Sequence, residues 1–167
     1  MNRNSLQIHL IISALIVLLQ TTLFKFIEIK GVSPDLLLIY LVFAAHSKGV
    51  MEGQIIGITS GFIEDILSLA PLGLNSALRL IIGAMVGNTK GKVDLDPIVM
   101  PIIFVVIASF IKEILTWILS IFFIDAPLEV FTSSFFIEVG FNLVLTPLIY
   151  NLLRKVRVFA DNPRDMR

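Results

Sequence analysis

The chain has 167 residues, of which 56% are hydrophobic and only 16% are charged. Soluble domains average roughly 45 to 50% apolar and about 25% charged residues, so the mean hydropathy of +0.93 favours lipid as the solvent. Thirteen basic residues balance thirteen acidic ones, which provides no overall field for binding nucleic acid. The absence of cysteine excludes disulfides, thiol catalysis and cysteine zinc sites.

Six apolar runs follow one another along the chain, and a helix needs about 17 to 25 such residues to cross a bilayer. The second run is short and reaches only about 20 Å as a helix, against about 30 Å of hydrocarbon. It either continues past Lys48 or lies partly outside the bilayer. We predict an all-α polytopic membrane protein with one integral domain, 1–153, and a short basic tail, 154–167. The predicted spans are 6–24, 34–46, 53–69, 72–88, 98–124 and 131–153.

Basic residues near the span ends predict the orientation, because cytoplasmic segments carry an excess of Lys and Arg. With the N-terminus inside, Lys25 and Lys30 are the basic residues of the outer segments. The cytoplasmic segments then hold nine: Arg3, Lys48, Lys90, Lys92, Arg154, Lys155, Arg157, Arg164 and Arg167. This asymmetry places both termini in the cytoplasm.

Glycines recur every four residues on the third and fourth spans, a spacing that lets two helix backbones approach closely. They are Gly53, Gly57 and Gly61 on the third span and Gly83, Gly87 and Gly91 on the fourth. The two spans form an antiparallel hairpin around Pro71, and pairing Gly53 with Gly91 brings the two rows into register. Glycine is also simply frequent in membrane helices, but the matched spacing favours a packing role. The same register sets Asp65 opposite Arg79 and predicts a buried ion pair.

Further polar side chains lie at membrane depth, where they are costly and usually face the protein interior. They are Glu64, Lys112, Glu113, Glu138 and Asn142. Lys112 and Glu113 are adjacent and point to different faces of their helix, so each needs its own partner. The excess of acids over bases leaves room for a protonated acid or a cationic ligand. Structural pairing is the simpler interpretation.

The sequence contains no recognisable catalytic, metal-binding or cofactor-binding motif. No His-Glu-x-x-His helix, nucleophile elbow or phosphate-binding loop is present. His9 and His46 lie at span ends and are interpreted as interfacial residues. We therefore predict a protein that is not an enzyme and needs no cofactor.

Several features follow one another in a recognisable order. Pro34-Asp35 opens the second span, the glycine row of the third span leads to Asp65, and the segment 71–75 opens the fourth. In this order and spacing the chain resembles the family of the rod shape-determining protein MreD. The resemblance implies a non-catalytic, multi-pass protein of the bacterial inner membrane that binds MreC directly. It also implies a wider complex with MreB, RodA and its partner transpeptidase, and a fold similar to the substrate-binding subunits of energy-coupling-factor transporters.

Three hypotheses about function follow. The leading one is a scaffold or regulator of the cell-elongation machinery that supports rod shape and lateral peptidoglycan synthesis. The second is a vitamin-binding or similar small-molecule subunit of a membrane transporter, with a cavity lined by some of Arg79, Glu113, Glu138 and Asn142. The third is a membrane enzyme acting on lipid-linked precursors, for which the adjacent acids Glu64 and Asp65 are the available feature.

Overall fold

The computed structural model describes residues 3–22, 28–68, 71–92, 99–123 and 129–154, and these residues form a bundle of helices. The helices are α1 (Arg3–Thr22), α2 (Leu36–Lys48), α3 (Val50–Leu67), α4 (Leu74–Gly87), α5 (Val99–Phe123) and α6 (Ser133–Arg154). The predicted all-α class is confirmed, and each helix coincides with one predicted apolar run. The predicted basic tail beyond Arg154 lies outside the described residues, as does Lys25.

Among the described residues, two helices are long and apolar enough to cross a membrane by length and composition, Val99–Phe122 and Ser133–Leu153. Gln7–Gln20, Leu36–Lys48 and Leu74–Gly87 are shorter apolar helices. On α5, large apolar side chains remain exposed along the outer face: Ile103, Ile107, Phe110, Ile114, Trp117, Ile118 and Ile121. This surface is compatible with contact with lipid.

The short helix α2 lies in the middle of the bundle. Every residue from Leu36 to Ala45 is buried, and α2 packs against each of the other five helices. A helix that is apolar on all sides is typical of such an enclosed position. The helix ends at Lys48, two residues past the predicted span 34–46, and is followed by Gly49 at φ +98°, so it does not continue past Lys48. Its 13 residues are surrounded by protein.

Helices α3 and α4 form the most extensive interface of the bundle, and glycines allow their backbones to touch. A Cβ atom added at Gly53 would lie 2.6 Å from the Gly83 carbonyl oxygen, and one at Gly57 would overlap the carbonyl of Arg79. A Cβ atom at Gly61 would lie 2.6 Å from the Asn75 carbonyl carbon. The structure thus places the three glycines of α3 directly on the backbone of α4.

The predicted register of this hairpin is wrong. Gly53 faces Gly83 and Gly87 faces Gly49, whereas Gly91 lies in the turn after α4, at φ +70°, where an added Cβ atom would meet nothing within 4 Å. The pairing differs from the prediction by about two helical turns along α4. The prediction placed the turn symmetrically around Pro71. In the structure, the last turn of α3 extends to Leu67, past the level at which α4 starts at Leu74.

A buried polar contact joins α1 to α2. The Nδ1 atom of His9 lies 2.6 Å from the hydroxyl of Tyr40, and His9 is completely enclosed. The interfacial interpretation of His9 is therefore wrong, because α2 supplies a hydrogen-bond partner inside the bundle. His46 lies near the end of α2 and contacts the Thr89 hydroxyl at 2.8 Å.

Candidate functional site: a buried ion network beside a polar cavity

Asp35 is the centre of a buried network of charges. It precedes α2, and its Oδ1 caps the helix by accepting a hydrogen bond from the Leu38 amide at 2.9 Å. A carboxylate is favoured there because the first amides of a helix lack partners within the helix. Arg79 Nη2 lies 3.1 Å from Oδ1, and Lys112 Nζ lies 2.9 Å from Oδ2. One buried carboxylate therefore forms ion pairs with two cations.

Arg79 projects from α4 and joins Asp35 to α3. Its Nη2 and Nε lie 2.6 and 2.8 Å from Oε2 of Glu64. Only 3% of the Arg79 side chain is exposed. The remaining terminal nitrogen, Nη1, has no hydrogen-bond partner in the part of the chain that the structure describes. Breaking such an enclosed pair is costly, because a charge stripped of water would lose its counter-charge.

Lys112 extends the network to the two longest helices. From the middle of α5, its ammonium donates to Asp35 and also to Glu138 on α6. Asn142, one turn beyond Glu138, accepts a hydrogen bond from the Asp35 amide at 2.9 Å through its Oδ1. Its Nδ2 donates to the Ser109 hydroxyl at 3.4 Å. Side chains from four helices, α3, α4, α5 and α6, thus converge on Asp35 at the start of α2.

The predicted ion pair between Asp65 and Arg79 does not form. The Asp65 carboxylate instead accepts hydrogen bonds from the amides of Gly73 and Asn75, each at 3.0 Å, and from the amide and hydroxyl of Ser76, at 3.2 and 2.8 Å. The cap residue of α4, Gly73, has no side chain to satisfy these amides, so α3 supplies the capping carboxylate. Arg79 lies deeper and takes Glu64 and Asp35 as partners.

A cavity of about 250 Å³ adjoins the network. It is lined by Asp35, Glu64, Leu74, Asn75, Leu78, Arg79, Lys112, Glu113, Thr116 and Glu138. Glu113 reaches it without any ion pair to the other described residues. The structure therefore brings together Glu64, Arg79, Lys112, Glu113 and Glu138, which the sequence singled out as separate polar residues. Asn142 supports the network but does not line the cavity.

Asp35 was missed as a site residue because the sequence shows it as a helix start. One signal could have identified it. Asp35 is an acid directly before an apolar run, and two spans carry the bases Arg79 and Lys112, which need acidic partners. In the described ranges, no group of three or more His, Asp or Glu side chains is arranged to hold a metal ion. The arrangement can hold buried charges in fixed positions and offer free carboxylate oxygens to a cavity.

Comparison with known proteins identifies the family of the chain. No curated protein and no solved structure matches it. A family model described as rod shape-determining protein MreD matches residues 2–156, which is nearly the entire chain. The helical architecture and the apolar α5 and α6 are consistent with a membrane protein. The chain therefore belongs to the MreD family of rod shape-determining proteins.

Proposed function

We propose that the protein is a non-catalytic membrane scaffold or regulator of the bacterial cell-elongation machinery. In this role it supports rod shape and lateral peptidoglycan synthesis by binding MreC directly. MreB, RodA and the partner transpeptidase of RodA belong to the wider complex. The family match over residues 2–156 is the observation that carries the proposal. A scaffold acts by raising the effective concentration of its partners, which strengthens weak contacts by orders of magnitude without new chemistry.

The proposed placement is a single integral domain, 1–153, that crosses the inner membrane six times with both termini in the cytoplasm. The excess of basic residues in the cytoplasmic segments supports this orientation. The ion network and the glycine contacts hold α2, α3 and α4 together as a rigid centre. The outward apolar faces of α5 and α6 then remain for lipid and for membrane partners.

Copurification tests this proposal. The tagged protein, isolated from its native membrane in mild detergent, is expected to bring down MreC together with cell-wall synthases, identified by mass spectrometry. A tagged multi-pass membrane protein of another function, expressed at the same level, is the control and should recover neither. Recovery of transporter ATPases and their coupling subunit in place of MreC would contradict the scaffold role.

The second candidate function is a small-molecule subunit of a membrane transporter with a fold similar to the energy-coupling-factor subunits. The specific observation in its favour is the cavity of about 250 Å³, with Arg79, Glu113 and Glu138 in its wall. Polar groups that converge on a concave space are typical of ligand sites. A stoichiometric vitamin in the purified protein would support this candidate.

A further inference from the structure

We propose that the cavity beside the ion network binds an ammonium group carried next to an acceptor oxygen, the chemistry of an ethanolamine headgroup. The inference uses the cavity that favours the second candidate function, but it requires neither transport nor the binding of MreC. Four observations support it: the balance of charge around the cavity, the free carboxylate oxygens, an unsatisfied buried donor and the size of the space.

The charges around the cavity are unbalanced. Among the described residues, its wall carries two cations, Arg79 and Lys112, and four carboxylates, those of Asp35, Glu64, Glu113 and Glu138. Both cations are already engaged, each with Asp35 and one further carboxylate. With every group in its charged form, the wall has two negative charges in excess. Because poorly hydrated charges are costly unless paired, a cation that enters the cavity is favoured.

The arrangement suits an organic ammonium. Glu113 has no ion pair within the described ranges. Glu64 and Glu138 each bind their cation through one oxygen, and their side chains remain 24% and 22% exposed. An ammonium has three N–H donors and can therefore bond to more than one of these carboxylates. The described residues offer no cluster suited to a metal ion.

Arg79 supplies the reason to expect an acceptor oxygen beside the ammonium. The guanidinium borders the cavity and is almost fully buried, yet its Nη1 lacks a partner among the described residues. Buried polar groups are nearly always hydrogen-bonded, so an acceptor oxygen that reached Nη1 from the cavity would complete its hydrogen bonding. Asn75 and Thr116 add further polar groups to the wall.

The size and position of the cavity suit a headgroup. Its volume of about 250 Å³ is below the ~300 to 1,000 Å³ of drug-sized pockets. Leu74 is the first residue of α4 and Asp35 caps α2, so the cavity lies beside the starts of these two helices and extends along α5 to Lys112 and Thr116. A membrane lipid and a soluble ethanolamine compound carry the same chemistry, and both are tested.

The first experiment uses the unaltered protein in nanodiscs and counts bound lipid by native mass spectrometry. Phosphatidylethanolamine is compared with its mono-, di- and trimethylated forms, the last being phosphatidylcholine, and with phosphatidylglycerol. Because each methyl group removes an N–H donor, binding is expected to fall along the series, by about tenfold or more in total. In phosphatidylcholine nanodiscs, free phosphoethanolamine is added instead. Binding of that compound alone would assign the site to a soluble ligand.

The second experiment tests the cavity itself. Glu113→Gln removes one carboxylate without breaking an ion pair and is expected to abolish most of the preference for ethanolamine. Glu129→Gln, at an exposed position outside the cavity, is the matched control and should keep the preference. Equal retention of all headgroups, with no binding of phosphoethanolamine, would overturn the proposal, as would a preference that Glu113→Gln leaves intact. The methylation series uses the unaltered protein, so it still tests the proposal if the Glu113→Gln protein misfolds.

Discussion

Replacement of Asp35 by asparagine is expected to lower the free energy of unfolding by about 3 to 5 kcal/mol, the usual cost of breaking a buried ion pair. Arg79 and Lys112 both lie against this carboxylate and would lose their most deeply buried counter-charge. Each would keep one partner, Glu64 or Glu138, whose side chains are 24% and 22% exposed. The asparagine oxygen can still accept the Leu38 hydrogen bond, so the variant isolates the loss of charge from the loss of the helix cap. The measurement is thermal unfolding of the purified protein in detergent, together with its abundance in membranes.

Glu129→Gln is the control for this prediction, because it makes the same chemical change at an exposed position of the described chain. Its melting temperature should equal that of the unaltered protein, since isolated surface charges contribute little to stability. If Asp35→Asn also kept the melting temperature and abundance of the unaltered protein, the ion network would not hold the bundle together.

Replacement of Gly57 by leucine is expected to separate α3 from α4 and to prevent stable folding. Even a Cβ atom at this position would overlap the backbone carbonyl of Arg79. A backbone atom cannot move away by changing rotamer, so the cost should exceed the about 1 to 3 kcal/mol of ordinary overpacking. Arg79 would also shift away from Glu64 and Asp35, which adds electrostatic loss. Melting temperature and resistance to proteolysis measure the effect, and Gly57→Ala should show a weaker form of it.

Gly140→Ala provides the matched control on α6. A Cβ atom there would meet nothing within 4 Å, and alanine favours a helix over glycine by about 1 kcal/mol. Its melting temperature should therefore equal or exceed that of the unaltered protein. Equal behaviour of Gly57→Leu and Gly140→Ala would show that the α3 and α4 backbones are not in close contact.

The helices and the close approach of α3 to α4 could be predicted from the sequence, because both depend on local spacing. Apolar runs mark the helices, and glycines such as Gly57 and Gly83 recur at the helical period. The register could not be predicted, because it depends on where α3 ends relative to the start of α4. An alignment built on the glycines alone included Gly91, which the structure places in a turn.

The candidate site could be predicted in its parts but not in its pairing. Glu64, Arg79, Lys112, Glu113 and Glu138 stand out because charged residues in apolar spans are rare. Their partners depend on the three-dimensional arrangement, in which Asp35 reaches the network from the start of the central helix. Asp65 was assigned to the wrong partner. It binds backbone amides at the start of α4, and the sequence does not show which amides lack a partner.

Cell width tests the proposed role of this protein most directly. Depletion of the protein in its native host is expected to give wide or rounded cells with reduced lateral peptidoglycan insertion, measured by microscopy and by labelled precursor. The unaltered protein and Gly140→Ala should restore the rods, whereas Gly57→Leu should not. Rods of unchanged width and unchanged peptidoglycan insertion after complete depletion would contradict a role in the elongation machinery.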